Sequence, residues 1–118
     1  MLDFRKKLNW LRISSIESVA FEKETDEFME HILQGLPSIV KKEDISRPFI
    51  IVITPIDNRR IVADYLNNST LESEGICSVE TYEGNIFSER LFNAIVERFE
   101  QEDYEVTMCN DSAYVYIT

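Results

Sequence analysis

The sequence predicts an α/β fold: a single domain in which N-terminal helices precede a β-α-β-α-β-β unit, with a mixed sheet of about four strands. Three observations carry this prediction. The run Pro48-Phe49-Ile50-Ile51-Val52-Ile53-Thr54-Pro55 is almost wholly apolar and rich in β-branched residues, the pattern of a central strand covered on both faces by helices. Apolar residues recur at helical spacing over 28–36 and again over 91–99. Near the end of the chain, Tyr104, Val106 and Met108 alternate with Glu105, Thr107 and Cys109 ahead of Asn110-Asp111-Ser112 and a second apolar run, the signature of a hairpin. A chain of 118 residues forms one domain, 1–118, and buries about two thirds of its unfolded surface, so it needs neither metal nor disulfide to fold.

Taken in order, residues 1–12 form a short basic amphipathic helix, with Phe4, Leu8 and Leu11 on one side of Arg5, Lys6 and Lys7, available for docking or dimerisation. Trp10 suits a core or an interface equally. Residues 13–21 are preferred as helix, although 16–21 suit a short strand. Thr25 is the expected N-cap of the next helix, followed by Asp26 and Glu27 in its first turn. Phe28, Met29, Ile32, Leu33 and Leu36 form its inner face, and Gly35-Leu36-Pro37 is its stop. Residues 38–47 are a connector.

Pro48 opens the central strand and Pro55 is expected to open a helix, with Thr54 capping and Asp57 in the first turn. That helix covers 56–66, turns Ile56, Ile61 or Val62, Ala63 and Leu66 toward the sheet, and ends near Asn67-Asn68. Residues 76–82 are the second strand, reached by a right-handed crossover. Glu83-Gly84-Asn85 turns the chain into a helix from about Phe87 or Ser88, carrying Leu91, Phe92, Ile95, Val96 and Phe99.

Charge and motif content direct the functional expectation. The net charge is -10 and the pI near 4.5, which repels nucleic acid and anionic membrane and attracts basic partners. The start of the chain has charges but no apolar core of a secretory signal, and no stretch reaches membrane-spanning length, so the expected location is cytoplasmic. Cys77 and Cys109, both in expected strands, read as buried small hydrophobes. His31 is the sole histidine and has no ligand-spaced partner, so neither a triad nor a metal site is expected. No dinucleotide or phosphate loop is present. No cofactor and no catalytic residue are assigned, and the chain is not expected to be an enzyme.

Acidic clustering is the informative feature. Glu97, Glu100, Glu102 and Asp103 crowd the end of the last helix, with Glu105 just beyond, where the helix dipole favours cations. Arg98 is expected to pair with Glu102 four residues on. Such a broken local rule marks a place to look for function. Glu97, Glu100, Glu102, Asp103, Tyr104 and Glu105 are the expected partner-binding residues, with Tyr82 and Tyr114 as further aromatic contacts.

The expectation is a non-catalytic protein that binds and inhibits or regulates a basic partner, such as a nuclease or nucleic-acid-binding enzyme. Immunity proteins and phage anti-host or anti-defence inhibitors have this character. A variant is nucleic-acid mimicry by Glu89, Glu97 and Glu100, with Asn93 between them. One alternative is a structural subunit of a homodimer or phage particle. Another is a small phosphate- or nucleotide-binding enzyme using Asp57, Arg59 and Arg60 at the turn after Thr54.

Overall fold

The strand β1 (Phe49–Ile56) lies at the centre of a five-stranded sheet of order β3-β2-β1-β5-β4. The structure, a computed structural model, describes residues 21–57, 59–80 and 85–118, and of 85–88 it describes the backbone. The helix expected over 1–12, the segment 13–20, Trp10 and Tyr82 lie outside the described residues. Helices α1 (Glu22–Ile39), α2 (Lys42–Ile45) and α3 (Asn85–Gln101) complete the single α/β domain.

Pro55 does not open a helix. It continues β1 and pairs with Ile61 of β2 (Arg60–Leu66). A proline is tolerated there because β5 (Ser112–Ile117) borders β1 only as far as the Ile53–Ala113 pair. Beyond it β1 has one neighbour, and a missing N–H interrupts no ladder on the open side. After β1, Asp57 lies in the left-handed region at φ 49° and the Arg59 amide donates to the Ile56 carbonyl at 3.0 Å. The expected helix over 56–66 is therefore a strand. Its true period is two: Ile61, Ala63 and Tyr65 are buried, while Val62, Asp64 and Leu66 are half-exposed. With the helix goes the crossover, and every pairing in the sheet is antiparallel.

Asn67 organises the next turn and does not cap a helix. Its Oδ1 accepts from the amides of Ser69 at 2.8 Å and Thr70 at 3.1 Å. Strand β3 (Ser73–Glu80) follows, starting earlier than expected and pairing with β2 through a bulge at Ala63/Asp64. The extra residue lets Ile76 and Cys77 both pack against the core, which accounts for the imperfect alternation of this stretch. The terminal hairpin is as expected, β4 (Glu105–Cys109) pairing with β5, with Asn110 in the left-handed region at φ 55°.

Helix α1 starts before Thr25 and ends after Pro37. Thr25 is buried with Phe28, Ile32 and Leu36, a stripe at helical spacing, so it is an inner-face residue and not a cap. Gly35 serves a close approach: a Cβ there would lie 2.8 Å from the Ile76 carbonyl oxygen of β3. Pro37 sits in the last turn on the exposed side, where solvent can meet the carbonyl that its missing N–H leaves free.

Both long helices pack on one face of the sheet. Phe28, Ile32, Leu91, Ile95 and Phe99 share a core with Phe49, Ile51 and Ile53 of β1 and with Ile61, Ala63, Ala113 and Val115 of its neighbours. The opposite face carries Ile50, Val52 and Thr54, paired with Leu66, Asp64 and Val62 on one side. On the other side of β1, Tyr116 and Tyr114 pair with Ile50 and Val52, and the Thr54 and Ser112 hydroxyls are hydrogen-bonded at 2.8 Å. Among the described residues no element covers this face, and Ile50 on it is only 6 % exposed. Both cysteines are free; Cys77 is half-buried, and Cys109 is exposed rather than buried.

Candidate functional site

A cleft of about 370 Å³ opens between α1 and the C-terminal end of α3, above one end of the sheet. Met29, Leu33 and Leu36 form the α1 wall, and Phe49, Ile51 and Ile117 form the floor. Arg98, Phe99, Glu102 and Tyr104 form the other wall, and Ile45 of α2 joins at the rim. Leu33 is 69 % exposed at the lip and extends the apolar lining of the cleft outward.

The cleft is open because α3 stops. Its last turn closes in a Schellman motif: the Tyr104 amide donates to the Phe99 carbonyl at 3.0 Å and the Asp103 amide to the Glu100 carbonyl at 3.0 Å. Asp103 holds the left-handed position at φ 67°. Tyr104 then packs edge-on against Phe99, with ring centroids 6.0 Å apart, which places it in the cleft wall. Arg98 ties the two walls together through its ion pair with Asp26 of α1, not with Glu102. Helix packing brings Asp26 to Arg98 across 72 residues of chain, a contact that local spacing does not show.

Asp103 is locally unfavourable twice over, in backbone conformation and in charge. Glycine carries no left-handed penalty, and removing a carboxylate from a helix C-terminus relieves the dipole, so Asp103→Gly is expected to stabilise the fold by about 1 kcal/mol. Urea denaturation of the two proteins measures this, and equal or lower stability of the variant would contradict it.

The acidic residues named from the sequence do not act as one group. Glu102 lines the cleft, and Glu100 and Asp103 are exposed beside it. Glu105 is exposed on β4, in register with Tyr116 of the sheet face opposite the helices. Glu97 is only 3 % exposed and accepts a hydrogen bond from Gln101 Nε2 at 2.8 Å. Its burial interrupts the stripe Glu89, Asn93, Glu97, Glu100 that phosphate mimicry would use.

Asp57, Arg59 and Arg60 are exposed at the β1–β2 hairpin. No helix begins there, so the helix-dipole contribution expected for an anion site is missing. His31 is exposed on α1. Burial, and secondarily the nearby Asp64, push the Cys77 thiol up to about 11, which keeps it protonated at neutral pH. Burial also raises Asp64 above the usual carboxylate range. Among the described residues no cluster suited to a metal ion occurs, and no helix is long and apolar enough to cross a membrane.

The sequence pattern places Met29 and Leu33 on the core face of their helix, and the structure has both lining the cleft. A signal was present: five apolar positions within 28–36 make a stripe wider than one helix face needs. The sheet face that no described residue covers is the other apolar surface. Strands of 8, 7, 8, 5 and 6 residues present roughly 540 Å² of flat face at about 3.3 Å per residue and about 4.8 Å between strands. The cleft is the better candidate because it is concave and mainly apolar, with charged residues at its rim. Compared with protein-family models, with curated proteins and with solved structures, the chain has no match.

Proposed function

We propose that this protein is a small acidic, non-catalytic binding protein that holds a basic protein partner at the cleft and thereby inhibits or regulates it. The observation that carries the reading is the pairing of an open apolar cleft with the acidic end of α3 on its rim. Apolar surface without a described partner supplies the desolvated contacts that set the lifetime of a complex. The carboxylates of Glu100, Glu102 and Asp103, added to the negative end of the helix, attract positive charge and accelerate encounter. Asp103 fits this division of labour, because a residue that disfavours the fold locally is retained where a binding surface needs it. A partner such as a nuclease, with a basic substrate site, has the complementary chemistry.

The test is capture of the partner by the tagged full chain from its own cells or infected host at low and moderate salt. Wild type is compared with Leu33→Asp and with the triple variant Glu100→Lys, Glu102→Lys, Asp103→Lys. The expected result is one stoichiometric basic protein, lost from both variants. On the purified pair, the triple variant should associate about tenfold more slowly at low salt and depend less on salt. Retention of the same protein by both variants, or the absence of any stoichiometric partner, would overturn the proposal.

A further inference from the structure

The segment that the cleft receives is, we infer, an amphipathic α-helix with apolar residues on one face and Lys or Arg on the other. The inference rests on the cleft being the partner-binding site and asks what kind of chain fits it. The walls are mainly α1 and α3, whose backbone groups are paired within each helix apart from the Leu33 carbonyl opposite Pro37 and the last carbonyls of α3, which form no continuous row. The floor is the core face of β1 and β5, where Phe49, Ile51 and Ile117 present side chains. No strand edge faces the cleft, since β1 and β5 lie inside the sheet and its edges are β3 and β4.

An extended segment lying there would find no ladder to join. Each of its buried amides and carbonyls would lose water without gaining a partner, a loss that recurs along the segment. A helix satisfies its own backbone and asks the cleft only for side-chain contact.

Length and charge agree with this. From Met29 to Leu36 the α1 wall is about 10 Å long, two helical turns, which residues at i, i+4 and i+7 of a partner helix would cover. Arg98, the cation lining the cleft, is engaged with Asp26. Glu102 lines the cleft, and Glu30, Glu100 and Asp103 are exposed on the helices and turn that border it. The polar face of the incoming helix is thereby selected to be basic.

Two synthetic peptides of about 15 residues, long enough to hold a helix, test the inference. Both contain only Leu and Lys in equal proportion, one with Leu at helical spacing and one with Leu and Lys alternating. Each is titrated into the full chain and into Leu33→Asp. That substitution, at a 69 % exposed position, leaves the core intact and adds negative charge, so non-specific attraction of lysine can only increase. The expected result is that the helical-period peptide binds at least about tenfold more tightly than the alternating one and loses about tenfold with Leu33→Asp. Equal or tighter binding of the alternating peptide, with the same dependence on Leu33, would overturn the helical occupant and leave the cleft as the binding site. Absence of any Leu33-dependent binding by either peptide would overturn both.

Discussion

Replacing Gly35 with valine is expected to destabilise the protein by about 3 kcal/mol, the upper end of ordinary overpacking. For a domain of this size that lowers the midpoint of thermal unfolding by roughly 12 °C. A Cβ at this position meets the Ile76 carbonyl oxygen at 2.8 Å and Ile76 Cγ2 at 2.9 Å. The first of these is backbone in β3 and cannot swing aside, so α1 must lift from the sheet. Alanine shares the clash but recovers about 1 kcal/mol of helix propensity, so Gly35→Ala should cost about 1 kcal/mol net. Gly75 is the control. Its Cβ would make an ordinary 3.6 Å contact with Asp64 Oδ1, and Gly75→Ala should be neutral or stabilise by up to about 0.5 kcal/mol through the unfolded chain. Thermal scans of the three variants give the ranking; a tolerated valine at 35 would mean that α1 does not approach β3 as described.

Truncating Ile53 and Val52, adjacent residues of one strand, should have very different effects. Ile53 is fully buried in the core between sheet and helices, so Ile53→Ala is expected to cost about 3.5 kcal/mol through lost transfer energy and a cavity. Val52 points to the opposite face, is only half-buried, and belongs to no described core. Val52→Ala should cost about 1 kcal/mol. The apolar run by itself predicts equal losses, because it reads as a strand covered on both sides. Denaturant midpoints decide between the two: a loss above about 2.5 kcal/mol at Val52 would require a second layer of structure on that face.

The same contrast explains which parts of the candidate site were legible. Glu102 and Asp103 stand out because they break a local rule, an acidic end on a helix whose dipole disfavours it, and Tyr104 stands out as an aromatic beside them. Local rules need no knowledge of the fold. Leu33 did not stand out, since whether an apolar residue in a helical stripe faces a core or a cleft depends on where the neighbouring helix ends. Here α3 ends at Gln101, and Leu33 beside that end stays exposed while the floor residues Phe49 and Ile51 are buried. Glu97 shows the converse: its sequence neighbourhood is acidic and solvated, yet packing buries it.

Elements specified by local periodicity and turn chemistry were determined by the sequence alone. β1 follows from its unbroken apolar run, the main part of α1 and α3 from apolar residues at helical spacing, and the β4–β5 hairpin from strict alternation around Asn110-Asp111. Tertiary structure decided the rest. Residues 60–66 satisfy a helical stripe and a strand alternation at once, and only β1 on one side and β3 on the other, supplying ladders for both edges, selected the strand. Gly35 and Pro37 carry a local stop signal that helix α1 overrides, because burying Leu36 and approaching β3 outweigh one weakened turn. Arg98 had an acid four residues away and took Asp26 instead, since an exposed pair along one helix contributes only about 0.3 kcal/mol and packing set the geometry. Local signals of a few tenths of a kcal/mol hold until non-local burial, worth several times more per residue, points the other way.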